Sequence, residues 1–242
     1  MNIIEQAIEK LSNSMRIYKE TSSDFERLRK IDYEEAINNL DRAFESKLEK
    51  FHSLYDVLKS NFDYFSNADT SLLISIRNAI HHRNHPLFNS LNYEMHLKSG
   101  MKKKAGAKFL FVNHNSTTEN ISEYYYKLED ILNRVDTSKN SPFVDSRTSI
   151  LKSKQLVSLL NTELNFTNII EYSQKERYPL NQVYINIIPI YISAISKIAN
   201  HITNYDIALN GFDSKVYIEH FKSNNLVDTN DITYKTLRVL YQ

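Results

Sequence analysis

The residues best suited to chemistry are gathered in one short stretch. Arg77 and Asn78 precede His81, His82 and His85, so three of the chain's eight histidines fall within five positions. Histidine, with an ordinary pKa of about 6.5, can both take up and release a proton near neutrality. Arginine stays protonated and offers a planar fork of donors that matches a phosphate. The group therefore favours acid–base chemistry on a phosphodiester, in which an amide orients one of the charged groups and arginine stabilises the phosphorane.

Two other interpretations compete for the same residues. His81 and His85 are spaced to share one helix face, as in helical zinc sites, but His82 stands where the zinc motif needs a glutamate. Pro86 also disfavours helix at His85, and the chain has no cysteine. The second interpretation is structural, because His and Arg are favoured near the negative end of a helix. Phosphodiester chemistry accounts best for the whole group, so no metal and no cofactor are expected.

The segment Arg77-Asn78-Ala79-Ile80-His81-His82 resembles the motif of the HEPN superfamily, in which an arginine shortly precedes a histidine and an asparagine often follows the arginine. HEPN domains are small helical bundles, and many are metal-independent endoribonucleases of toxin–antitoxin, phage-defence and CRISPR systems. The resemblance, which covers residues 25–90, implies that Arg77 and His82 are the catalytic pair and that Asn78 supports them. It also implies that RNA is cleaved through a 2′,3′-cyclic phosphate.

Helix geometry leaves the choice of histidine open. A regular helix turns by about 100° per residue, so Arg77 and His82 lie about 140° apart, whereas Arg77 and His81 share a face. His82 can join Arg77 if the helix is distorted or if the site is assembled between two subunits. The resemblance implies the second answer, because HEPN active sites are typically composite across a dimer interface. A homodimer is therefore expected, and His81 remains the alternative catalytic residue.

Helical periodicity dominates the rest of the chain. Apolar residues recur on one helical face over 3–18 and 33–65, then over 72–80, 121–135 and 150–172, and Thr118 is a plausible cap for the fourth pattern. The apolar run from Val183 predicts a buried core helix with a kink at Pro189. The helical period is lost over 96–113, where 108–112 resembles a strand in a small β-hairpin or loop. The predicted fold is an all-α helical bundle with that one β excursion. The chain is predicted to form one domain over 1–242, with a candidate internal boundary at the polar linker 136–146.

Composition limits the ways in which the chain could meet RNA. The 30 basic side chains balance 29 acidic ones, so attraction to nucleic acid must come from local clustering. Lys102, Lys103, Lys104 and Lys108 form such a cluster and are the candidate RNA-binding residues, although an ordinary solvated hairpin accounts for them equally well. Tyr124, Tyr125 and Tyr126 could stack on bases, but their place on a predicted apolar face favours core packing.

The sequence contains no recognisable signal peptide, and its most apolar stretch, Val183–Ile195, is too short to cross a bilayer. A cytoplasmic protein without membrane association is expected. The predicted function is a metal-independent endoribonuclease, acting as a toxin or phage-defence effector and controlled by an antitoxin or another regulatory protein. One alternative is a catalytically silent HEPN-like module that binds a partner protein or a nucleotide, and another is a helical scaffold unrelated to HEPN domains.

Overall fold

A computed structural model of the chain describes residues 3–81, 86–115, 122–145, 148–203, 209, 211–222 and 226–240. The described residues form ten α-helices and four β-strands. The helices are α1 (Ile3–Arg29), α2 (Tyr33–Leu58), α3 (Ala68–His81), α4 (Leu91–His96), α5 (Gly100–Lys103), α6 (Leu128–Val135), α7 (Ile150–Glu163), α8 (Phe166–Lys175), α9 (Ile187–Ile202) and α10 (Phe212–Phe221). The strands are β1 (Lys108–His114), β2 (Tyr125–Lys127), β3 (Val183–Asn186) and β4 (Ile232–Arg238).

The four strands form one mixed sheet, so the prediction of an all-α bundle is wrong. Their order across the sheet is β2-β3-β1-β4. The two central strands, β1 and β3, run parallel, with Leu110 opposite Val183. Each edge strand runs antiparallel to its neighbour, β2 to β3 and β4 to β1. The protein is therefore helix-rich but of mixed α/β class.

Two of the strands fall where helix was predicted. All four residues of β3 are buried, and a strand covered on both faces has a continuous apolar sequence that periodicity cannot distinguish from a buried helix. The helix predicted from Val183 therefore begins only at Ile187. Pro189 lies in the first turn of α9, where its missing N–H breaks no internal hydrogen bond, so the predicted cause of a kink is removed. A helix was also predicted to begin at Thr118, a residue outside the described ranges. The helix of this segment, α6, begins at Leu128, directly after β2.

The strand predicted over 108–112 is present as β1, but it does not belong to a hairpin. Its sheet neighbours are β3 and β4, which come much later in the chain. The segment before β1 is helical instead, in α4 and α5. A turn at Gly106 leads from α5 into β1, and the φ angle of 81° there suits glycine because a side chain would be strained.

The chain divides into two compact units, one comprising residues 1–64 and 192–226 and the other residues 65–191 and 227–242. The predicted linker 136–146 lies inside the second unit. There its described part is fixed to α6 and α7. The buried Arg134 donates to Asp145 at 2.9 Å and to the carbonyl of Phe143 at 3.0 Å, and the hydroxyl of Ser153 accepts from the N–H of Thr137 at 3.0 Å.

The first unit is built on α1 and α2, which pack together with Tyr18 edge-on to Phe44 at 5.7 Å between ring centroids. The side chain of Asp32 caps α2 by accepting from the N–H of Glu35 at 2.9 Å, so α2 begins at Tyr33 as a helix separate from α1. Helix α10 is attached to α1 by the ion pair between Arg16 and Asp213 at 2.9 Å.

The second unit contains the sheet and α3, and Asn186 connects several of its parts. Its side-chain oxygen accepts from the N–H groups of Tyr124 and Ile188, both at 3.1 Å. Its side-chain nitrogen donates to Asn113 at 2.9 Å, and Asn113 also accepts from the hydroxyl of Tyr125 at 3.0 Å. One buried amide thus connects β1, the approach to β2, the end of β3 and the start of α9.

Replacing Asn186 by alanine should destabilise the protein. The N–H groups of Tyr124 and Ile188 would lose their acceptor in a buried setting, and each such loss costs about 1–3 kcal/mol, so the expected total is roughly 2–5 kcal/mol. Urea unfolding of Asn186→Ala measures this change. Asn230→Ala, an exposed amide in the same unit, is the control and should alter the free energy of unfolding by less than about 0.5 kcal/mol. Equal stability of the two variants would contradict the role of Asn186.

Candidate functional site

Helix α3 presents the predicted catalytic residues on its polar side. Leu72, Leu73, Ile76 and Ala79 are buried, which is the helical face expected from the sequence. Arg77 and Asn78 are partly buried, and His81 in the last described turn is exposed. The helix therefore buries its apolar residues, leaves His81 exposed, and leaves Arg77 and Asn78 partly exposed.

The side chains of Arg77 and Asn78 are in direct contact. The Nη1 of Arg77 lies 3.3 Å from Oδ1 of Asn78, to which it donates. This contact constrains the guanidinium, so an approaching anion meets an arginine that has already lost part of its rotational freedom. Because His81 lies one turn beyond Arg77, the two residues share a helix face.

The predicted catalytic histidine, His82, lies outside the described residues, and so do Arg83, Asn84 and His85. The zinc alternative pairs His81 with His85, and of these two ligands only His81 lies within the described residues. Over the described ranges, no group of three or more His, Cys, Asp or Glu side chains is arranged to hold a metal ion.

The start of α3 is fixed by carboxylates. Glu163, the last residue of α7, accepts from the N–H of Ala68 at 3.1 Å. Asp69 is buried, and its own carboxylate accepts from the N–H of Thr70 at 2.7 Å. Carboxylates at this end of a helix satisfy its free N–H groups and interact favourably with its dipole. They therefore fix the N-terminal end of α3, whereas the motif lies at its C-terminal end.

The chain that follows the motif is fixed by a third carboxylate. The N–H of Phe88 donates to Oδ2 of Asp130 at 2.9 Å. Phe88 is buried against Tyr126, with ring centroids 5.3 Å apart, and has a φ of 63°. A bulky residue in this left-handed conformation is strained and persists only where its surroundings hold it. Asp130 and Tyr126 supply those surroundings, and so fix the chain a few residues after the motif.

Asp130 is a buried acid with a perturbed pKa. Burial raises its pKa to about 6, while the hydrogen bond from Phe88 and the nearby charge of Lys127 oppose the rise. Neither Asp130 nor Phe88 was identified from the sequence. The predicted apolar face of this segment passes through Leu128, Ile131 and Leu132 without Asp130, and no residue pattern marks Phe88 as left-handed.

The four predicted RNA-binding lysines have different surroundings. Lys102, Lys103 and Lys108 are exposed. Lys104 is partly buried, and its ammonium lies 3.0 Å from the carboxylate of Glu94. That carboxylate also accepts from Lys127 at 2.8 Å. Burial alone would raise the pKa of Glu94, but the hydrogen bonds from the two lysines outweigh it and leave the pKa below its ordinary value.

Tyr124, Tyr125 and Tyr126 are all buried, as core packing predicts, although two of them lie in a strand rather than a helix. Their rings are therefore not presented to a base.

In comparisons with known proteins, no family model, curated protein or solved structure matches the chain. Among the described helices, none combines the length and apolar character needed to cross a membrane.

Asp130→Asn should stabilise the protein at pH 7.5. Asparagine keeps an acceptor for the Phe88 N–H and avoids the ionisation of a buried acid. Because the folded pKa of about 6 lies above the ordinary value of 3.8, the wild type loses stability as pH rises through that range. The variant should therefore be more stable at pH 7.5 by on the order of 2 kcal/mol, and the difference should shrink as pH falls towards about 4.

Urea unfolding of both proteins across this pH range measures the effect. Glu129→Gln, the neutralisation of the adjacent and more accessible acid, is the matched control and should change stability by less than about 0.5 kcal/mol. A stability difference between wild type and Asp130→Asn that does not depend on pH would show that Asp130 has an ordinary pKa.

Proposed function

We propose that the chain is a metal-independent endoribonuclease of HEPN type that acts in the cytoplasm as a toxin or phage-defence effector. One observation carries the proposal. Arg77 and Asn78 are in contact on the accessible side of α3, with His81 one turn further along and His82 next in sequence. Phosphodiester cleavage requires a guanidinium and a histidine close together. A helix that only packs against a core requires neither side chain.

The reaction uses the 2′-hydroxyl of the RNA as its nucleophile. This hydroxyl loses its proton while its oxygen bonds to the adjacent phosphorus, and the bond from phosphorus to the 5′-oxygen breaks as that oxygen gains a proton. A histidine assists the proton transfer, and the guanidinium of Arg77 stabilises the negative charge of the phosphorane. Asn78 is a positioning residue, because its contact is with Arg77. The products are a 2′,3′-cyclic phosphate and a 5′-hydroxyl.

A symmetric homodimer would reconcile Arg77 and His82, whose spacing of five residues would point them in different directions on a regular helix. A two-fold axis places each motif opposite its own copy, so that Arg77 and His82 from both chains can meet in one cleft. Two arginines in such a cleft repel, which is tolerable in a wet groove that receives an anionic phosphate. An antitoxin or another regulatory protein that covered this cleft would block RNA from entering it.

Arg77→Ala and His82→Ala should each reduce RNA cleavage by at least about a hundredfold, because each removes a group that acts in the transition state. Their thermal stability should stay close to that of the wild type, since Arg77 is partly exposed and little apolar surface is lost. Single-turnover cleavage of a labelled RNA measures the rates. His81→Ala tests the alternative histidine, and loss of activity in it but not in His82→Ala would exchange their roles.

The control is His96→Ala, which removes an exposed histidine of the same unit and should cleave at the wild-type rate. The wild type should cleave equally well with excess EDTA present. Loss of activity with EDTA, and its recovery on adding zinc, would favour the His81/His85 metal site. A purified wild type that binds RNA, a nucleotide or a protein without cleaving any RNA would favour the catalytically silent module.

A further inference from the structure

The cluster of exposed lysines before β1 gains a member from the far end of the chain. β4 runs antiparallel to β1, and their register places Arg238 directly opposite Lys108. Both side chains are exposed. The sheet therefore brings a C-terminal arginine to the predicted lysine cluster, a contact that sequence spacing does not show.

The hydrogen-bond pattern shows how close these two residues are. The N–H of Val239 donates to the carbonyl of Ala107 at 3.0 Å, and the N–H of Asn115 donates to the carbonyl of Asp231 at 2.9 Å. Odd-numbered residues of β1 and β4 therefore form the hydrogen-bonded pairs. Lys108 and Arg238 form a pair of the other type, in which the Cα atoms lie only about 4.5 Å apart and the side chains share one face of the sheet.

Two like charges directly opposite each other destabilise a sheet. Neighbouring cations avoid such a conflict: Lys235 of β4 pairs with Glu123 at 3.0 Å, and Lys104 pairs with Glu94. Lys108 and Arg238 form no ion pair within the described part of the chain, and neither do Lys102 and Lys103. The fold thus neutralises some lysines of this region, leaves the paired Lys108 and Arg238 exposed, and leaves Lys102 and Lys103 exposed in α5, a few residues before β1.

We propose that Lys102, Lys103, Lys108 and Arg238 form a docking surface for the phosphate backbone of RNA, hereafter the basic docking surface. The proposal rests on the proposed ribonuclease function and places part of the substrate away from the Arg77 motif. A phosphodiester beside Lys108 and Arg238 relieves their repulsion, and clustered cations bind a backbone without reading its sequence. Lys104 is not part of the surface, because its charge is already paired with Glu94.

The test uses a single-stranded 2′-O-methyl RNA, which binds but lacks the nucleophilic hydroxyl and so cannot be cleaved. Lys108→Gln and Arg238→Gln should each weaken binding roughly fivefold in fluorescence anisotropy. In a plot of log affinity against log salt concentration, each variant should also show a shallower fall. The magnitude of the slope should decrease by about 0.7, the value for one lost contact to single-stranded phosphate. Lys235→Gln is the matched control, since it removes an exposed cation of the same strand whose charge is already paired, and it should bind like the wild type.

Arg238→Glu separates a binding role from a structural one. It puts an acid opposite Lys108, so the melting temperature should rise by roughly 1–3 °C while RNA binding falls by more than in Arg238→Gln. A lower melting temperature would show that Arg238 serves the fold rather than the ligand.

Wild-type affinity in both Lys108→Gln and Arg238→Gln would overturn the proposal. It would also be overturned if these variants bound RNA normally but lost binding to polyglutamate, since the surface would then fit an acidic protein. Cleavage failing in the wild type while the binding results hold would overturn the proposed ribonuclease and leave the basic docking surface intact. The reverse outcome, normal cleavage without the binding losses, would overturn only the docking surface.

Discussion

The sheet of the second unit depends on the hydrogen bonds of one buried amide. Asn186 satisfies two backbone N–H groups and meets Asn113 across the sheet, at the point where β3 ends and α9 begins. A buried N–H without an acceptor is costly, so the approach to β2, the end of β1 and the first turn of α9 are held in one arrangement. β2 then continues into α6, which carries Asp130. The position of the carboxylate that holds Phe88 therefore follows from this junction.

The candidate site combines firm supports with accessible polar side chains. Carboxylates of Glu163 and Asp130 hold the chain on either side of the motif, at Ala68 and at Phe88. Among the features of this unit that carry a cost in stability are the left-handed Phe88, the buried Asp130, and the like charges of Lys108 and Arg238. Strained backbones and destabilising charge pairs are often found at functional sites, where a loss of folding stability is tolerated for the sake of binding or catalysis.

The sequence predicted several helices correctly, but it missed the sheet and assigned helix to the segments that form β2 and β3. Helix α3 and the accessibility of Arg77 and Asn78 followed from apolar spacing within a few turns. The sheet did not, because its strands are short, β3 is apolar throughout, and β1 pairs with segments far along the chain. Asp130 and Arg238 gained their significance only from contacts with Phe88 and Lys108. Such contacts depend on strand register and tertiary packing, which no spacing in a single sequence records.

Mixing Arg77→Ala with His82→Ala tests whether Arg77 and His82 act together in one cleft shared by two chains, because only the mixed dimer has both an arginine and a histidine in that cleft. Each variant alone should be inactive, and their mixture should regain RNA cleavage, up to about half the wild-type rate if subunits exchange at random. A mixture as inactive as its components, measured after subunit exchange has been demonstrated, would contradict the shared cleft. Full activity in either variant alone would contradict the assignment of the catalytic pair.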